Sequence, residues 1–234
     1  MLSLPRAIFF DFGNALLAEE CFDAAAGNAR LFELAQNPHG VTPAQFRAEL
    51  SGLIAEIDDR RQESLIEIPI FALNRLFYER FAMAFPCGAE QAAWEFWSHA
   101  CRFSPMPHVR ETLAAFAHLP LGIISNTIAP ASFLERQLAR FGLDQYFRLI
   151  ITSCEYGLRK PHPAIFLTAA ARLNVLPAEA WFVGDSPVHD IAGAQAAGLQ
   201  AIWLNPAQKE LPTAMSAPSL EISSLDTLLR HLPQ

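Results

Sequence analysis

The chain is short of positive charge. Its 234 residues hold 17 Lys and Arg against 24 Asp and Glu, a formal net charge of −7, and the basic residues form no run. That argues against nucleic acid and against anionic membranes as partners, because both need a concentrated basic face. Cysteine is scarce as well. Cys21, Cys87, Cys101 and Cys154 form no C-x-x-C pair and no Cys/His cluster at zinc spacing, so neither a disulfide framework nor a structural zinc site is expected. Free thiols fit a reducing cytoplasm. No apolar stretch approaches the roughly 18 residues of a membrane span, and the opening "MLSLPRA" has no signal-peptide profile. Internal repeats and low-complexity segments are lacking too. What remains is 52% apolar and 18% charged, the composition of a globular protein. A chain of this length buries roughly 70% of its unfolded surface without needing staples.

Five short apolar runs stand out: 7–10, 121–124, 149–151, 180–183 and 201–204. None alternates polar with apolar, which suits strands buried on both faces of a parallel sheet. Between them lie helix-like segments at 108–119, 130–143, 161–174 and 189–198, with Pro at or near the start of the second and third and Gly142 and Gly198 at the ends of the second and fourth. Strand alternating with helix predicts an α/β doubly wound fold. Residues 18–103 differ, showing helical periodicity and no convincing strand. Thr42-Pro43 reads as a cap and first turn, and 68–85 and 88–103 are rich in aromatics, Trp94 and Trp97 among them. This block is expected to be an inserted helical subdomain with its aromatic stripe packed internally. A loop over 205–219 and a closing helix over 223–232 follow.

The polar groups sit where the runs end. The first ends in Asp11, the second in Ser125-Asn126-Thr127, and the third in Thr152-Ser153 with Lys160 shortly beyond. The fourth ends in Gly184-Asp185-Ser186, with Asp190 five residues past Asp185. In a parallel sheet these ends share one edge, where α/β folds bind ligands. Asp11, Ser125, Lys160, Asp185 and Asp190 are therefore expected to converge. Each alone reads as a cap, a turn former or a solvated charge; four such features in strand order read as a site. Carboxylates gathered at one place call for a cation, and oxygen ligands favour Mg²⁺. With a Ser hydroxyl and a Lys ammonium they make a cradle for a phosphoryl group, and a carboxylate facing the phosphorus can act as nucleophile.

With "IFFDFGNAL", "IISN", "KPHPAIF" and "VGDSPVHDI" in this order and spacing, the chain resembles the haloacid dehalogenase-like (HAD) hydrolase superfamily. The resemblance implies a Rossmann-like three-layer α/β/α core with a parallel sheet, formed by 1–17 and 104–234, and an all-helical cap of the C1 type at 18–103. It implies Asp11 as nucleophile, Ser125, Asn126 and Lys160 at the phosphoryl group, and Mg²⁺ held by Asp11, Asp185, Asp190 and the Gly13 carbonyl. The reaction implied is hydrolysis of a small phosphorylated metabolite through an aspartyl-phosphate at Asp11.

One position departs from the pattern. The family's acid/base carboxylate stands two residues after the nucleophile, where this chain has Gly13, a glycine expected to turn the chain as it leaves the strand. The carbonyl survives and the proton donor does not, a loss of help worth about 10²–10⁴-fold in rate. Relatives with a similar D-x-G-N first motif look like phosphatases nonetheless. Asn14 cannot deliver a proton usefully, and Glu19 or Glu20 lies close enough in sequence to reach the site. His189 is expected to be a solvated loop residue, and His162 and His108 to begin helices. From the cap, Glu63, Arg75 and Tyr78 are candidates to face the site. Two other readings remain: a binding or regulatory pseudo-phosphatase, and a metal-free haloacid dehalogenase, which Gly13 suits and Asp185 does not.

Overall fold

A computed structural model describes residues 2–231. All five apolar runs are strands of one sheet. β1 (Ala7–Phe10), β4 (Leu121–Ser125), β5 (Phe147–Thr152), β6 (Ala180–Gly184) and β7 (Gln200–Leu204) are joined by β8 (Leu220–Ile222), in the order β5-β4-β1-β6-β7-β8. Every pairing is parallel, so the strands share one carboxyl-terminal edge. β1 lies in the middle and its four residues are 0% exposed. Its side chains alternate between two cores. Ile8 and Phe10 pack with Leu113, Leu134 and Leu138 from α5 (Val109–Ala115) and α6 (Ala131–Ala139). Ala7 and Phe9 pack with Ile165, Phe166 and Ala194 from α8 (Pro163–Arg172) and α9 (Ala192–Ala196) on the opposite face. Truncating Phe9 to Ala would cost on the order of 3–5 kcal/mol, since a ring at full burial leaves a cavity behind.

Between β1 and α5 the described residues carry four helices: α1 (Ala24–Leu34), α2 (Pro43–Ser64), α3 (Ile70–Arg80) and α4 (Gly88–Ala100). The Thr42 cap is present, with Thr42 and Gln45 satisfying each other's backbone amides ahead of Pro43. The expectation of an all-helical segment is corrected at its ends. β2 (Leu17–Phe22) and β3 (Cys101–Pro105) pair antiparallel, from Leu17 against Pro105 to Phe22 against Cys101. The helices therefore leave and rejoin the sheet domain through a two-stranded ribbon. Four-residue α7 (Ser153–Tyr156) follows β5. The closing helix is a 3₁₀ turn over Leu225–His231; Leu232, its expected last residue, lies outside the described residues. All four cysteines are free. Among the described residues no helix is long and apolar enough to cross a membrane.

Candidate active site

β1 delivers Asp11 to the carboxyl edge, where its amide donates to the Val183 carbonyl of β6 at 2.9 Å. Glycine is not what turns the chain there. Gly13 has no positive φ, and the left-handed residue is Asn14, at φ 55°. A Cβ placed on Gly13 would meet no atom within 4 Å. Neither backbone conformation nor crowding requires glycine at 13, a correction to its reading as the residue that makes the turn.

Lys160 approaches from the loop between α7 and α8. Its Nζ donates to Asp11 Oδ1 at 2.7 Å and to Asp190 Oδ1 at 2.6 Å, and its side chain is 2% exposed. Asn126, just past β4, fixes the Lys160 main chain: its Oδ1 accepts from the Lys160 amide at 2.7 Å and its Nδ2 donates to the Lys160 carbonyl at 2.8 Å. The side chain expected to touch substrate thus has both ends of its amide engaged in holding Lys160. At the end of β6, Gly184 lets the chain fold back, because a Cβ there would run into the Asp190 carboxylate. Asp190 Oδ2 accepts from the Ser186 amide at 3.0 Å, and Ser186 Oγ caps the Pro187–Ile191 turn by accepting from His189 N.

One carboxylate oxygen from each of Asp11, Asp185 and Asp190 lies within 4.8 Å of the others. Burial pushes the Asp11 carboxyl up to about 7; Lys160 opposes that rise and the Asp190 charge adds to it. Burial, then Asp190, raises Asp185 as well. For Lys160, burial favours the neutral amine, but Asp11 and Asp190 outweigh it and hold the ammonium above its ordinary range. Three acids thus face one ammonium inside a poorly solvated pocket. Such an all-oxygen, charge-deficient set fits a hard divalent cation.

A cavity of about 580 Å³ opens over this edge, lined by Asp11, Gly13, Ser125, Lys160, Asp185 and Asp190. All five convergent residues of the sequence reading, and Gly13, are in it. His189 and Glu19 line it too. His189 is half-buried, and burial lowers its pKa, which corrects its reading as a solvated loop residue. Glu20 is exposed and away from the cavity lining. His162 caps α8 by accepting from the Ala164 amide at 3.2 Å, and His108 precedes α5.

The cap candidates fall elsewhere. Tyr78 is buried beside Phe46 and Phe85, Arg75 pairs with Glu79 on the surface, and Glu63 is exposed. From α2, Ile57 and Arg61 reach the cavity. The aromatic stripe divides: Trp94 packs on Phe133 and under Arg136, while Phe96 and Trp97 line the cavity.

Sequence reasoning missed a buried acid. Glu67, 4% exposed, pairs with Arg61 at 3.0 Å and with Arg159, and accepts from the Ser153 hydroxyl at 2.6 Å. Main-chain bonds flank it, from the Glu67 amide to the Gly157 carbonyl and from the Arg159 amide to the Leu65 carbonyl, each 2.9 Å. The helical segment is thereby clamped to the chain immediately before Lys160. A single Glu inside the apolar run "LIEIPI" was the available signal.

Comparison with known proteins shows the family. The family model for haloacid dehalogenase-like hydrolases matches residues 89–204. The phosphoserine phosphatase of Thermus thermophilus is 31% identical over 206 residues, covering 87% of this chain and 83% of that protein. The chain belongs to the haloacid dehalogenase-like hydrolases. A phosphoglycolate phosphatase of Yersinia pestis is 30% identical over 208 residues, covering 85% and 80% of the two chains. Among solved structures, a 2-haloacid dehalogenase from Pseudomonas syringae pv. Tomato superposes over 97% of both chains at TM-score 0.70 and 27% identity. As a hydrolase of this family, the chain has Ser125, Lys160, Asp185 and Asp190 within the matched span. Asp11 lies before that span and is tied to it through Lys160.

Proposed function

We propose that the protein is a Mg²⁺-dependent phosphomonoester phosphatase acting on a small phosphorylated molecule, with Asp11 as nucleophile. The observation that carries this reading is the Lys160 ammonium bound at once to Asp11 and Asp190, beside Asp185. An Asp11 oxygen attacks phosphorus, the ester P–O bond breaks, and the leaving oxygen takes the electron pair. Lys160 offsets the charge on Asp11 and the phosphoryl group, and the Ser125 hydroxyl hydrogen-bonds the phosphoryl oxygens. Asn126 is a positioning residue that holds Lys160. Water then attacks the aspartyl-phosphate, freeing phosphate and restoring the Asp11 carboxylate. Asp11, Asp185, Asp190 and the Gly13 carbonyl would hold Mg²⁺. Bound there, it would draw charge from the phosphoryl oxygens. Residues 18–103 act as the cap over a core of 1–17 and 104–234.

Gly13 leaves the departing oxygen without the family's proton donor, so the reaction favours leaving groups stable as anions. The relatives named for phosphoserine and phosphoglycolate support the phosphatase class. Gly13 and the dehalogenase neighbour favour a second reading, displacement of halide from a halocarboxylate by Asp11, against which Asp185 weighs. Assaying phosphate release from aryl phosphates with and without Mg²⁺, and halide release from 2-chloropropionate, separates the two.

A further inference from the structure

The cavity has two unlike halves. The polar half is the site just described. The other half is a continuous chain of rings beginning one residue from the nucleophile. Phe12 meets Phe103 edge-on, ring centroids 5.5 Å apart, and Phe103 reaches Phe133 at 6.5 Å. Phe133 meets Trp97 at 5.7 Å, and Trp97 touches both Phe96, at 5.3 Å, and Phe22, at 5.9 Å. All six line the cavity. They come from the first loop, both ribbon strands, α4 and α6, so the wall is assembled by the fold and not inherited from one amphipathic helix. Phe22 is 52% exposed, an apolar ring left in water at the cavity's rim.

We infer that the substrate is an aromatic phosphomonoester, its ring seated against Phe12, Phe103, Phe133 and Trp97 while its phosphate meets Asp11 and Lys160. This rests on the phosphatase reading and narrows it. Two independent observations converge. The volume of about 580 Å³ lies in the range of roughly 300–1,000 Å³ that holds drug-sized ligands, far more than a two- or three-carbon phosphate fills. Aromatic walls gain most from a flat apolar guest, by area and by ring stacking. Separately, Gly13 supplies no proton to the leaving oxygen. A phenol, with pKa near 10 as in tyrosine, leaves as its anion far more readily than an aliphatic alcohol does. The balance closes without a general acid: the phenolate departs from phosphorus, water supplies the hydroxyl that releases phosphate, and the water proton ends on the phenolate in solvent.

The test compares 1-naphthyl phosphate, phosphoglycolate and acetyl phosphate with the full chain and Mg²⁺. Acetyl phosphate has a good leaving group and no ring, so it isolates leaving-group chemistry from fit. Expected is a kcat/KM for naphthyl phosphate at least tenfold above both others, and calorimetric binding of 1-naphthylphosphonate at least tenfold tighter than methylphosphonate. Trp97→Ala is expected to cost naphthyl phosphate about tenfold more than it costs acetyl phosphate. Phe22→Ala, at the exposed rim, should shift KM in the same direction and serves if Trp97→Ala fails to fold. Equal or better turnover of phosphoglycolate, or equal binding of the two phosphonates, overturns the aromatic assignment and leaves the phosphatase reading standing. Failure of all three phosphates, acetyl phosphate included, overturns both.

Discussion

Lys160 and Asp11 lie 149 positions apart in the chain and meet at 2.7 Å, with the Lys160 ammonium also 2.6 Å from Asp190. Exchanging Lys160 for Met leaves the buried Asp190 and the partly buried Asp11 carboxylates without their counter-charge. Breaking a buried pair from one side costs on the order of 3–5 kcal/mol. Denaturant unfolding of the metal-free Lys160→Met protein should show a loss of that size at pH 8, smaller at pH 5 where the acids can take up protons. Equal stability at both pH values to the parent protein would contradict the pairing.

Burial of Asp11, which the Lys160 contact opposes, gives the metal-free protein a pH dependence. Asp11 sits at about 7 when folded against an ordinary value of 3.8. Between those limits the folded chain holds a proton on Asp11 that the unfolded chain has lost, so the contribution of Asp11 to stability is greatest below about 4 and declines as pH rises toward 7. Asp185 is shifted the same way. Unfolding midpoints in chelator should fall from pH 5 to pH 8, less steeply in Asp11→Asn, and Mg²⁺ should recover stability at pH 8. A midpoint that rises over this interval in chelator, and rises less in Asp11→Asn, would reverse the sign assigned to Asp11.

Gly13 invites the reverse change. Nothing within 4 Å blocks a Cβ, and the backbone there is open to any residue. Gly13→Asp should raise kcat on alkyl phosphates by about 10²-fold or more, the lower end of general-acid help. Aryl phosphates should gain much less, flattening the dependence of rate on leaving-group pKa. A uniform gain, or none with the fold intact, would show that proton delivery does not limit the reaction.

Glu67 holds the helical segment to the loop that carries Lys160. Glu67→Gln keeps an acceptor for Ser153 but removes the buried negative charge that pairs with Arg159 and Arg61, a loss again on the order of 3–5 kcal/mol. Hydrogen exchange should quicken around Leu65–Glu67 and Gly157–Arg159 while β1 and β4 stay protected. Unchanged exchange at those amides would remove the clamp from consideration.

The parallel sheet was legible because β1, β4, β6 and β7 are buried on both faces and so carry nothing but apolar side chains over most of their length. The site was legible for a related reason: polar residues at the ends of such strands have one edge to go to. The ribbon was not. β2 reads "LAEECF" with one buried residue, and its partner lies some 80 residues away, so no local period marks it. Glu67 was hidden likewise, its partners Ser153 and Arg159 standing 86 and 92 positions off. The turn at Gly13 was misassigned because glycine and asparagine both take positive φ, and here Asn14 takes it.

The most direct test of Asp11 as nucleophile is phosphate release from 1-naphthyl phosphate by the purified chain and by Asp11→Asn, each with Mg²⁺ and with chelator. Release is expected from the parent protein with Mg²⁺ alone and from neither protein otherwise. Release that persists in Asp11→Asn, or that needs no divalent cation, would contradict it.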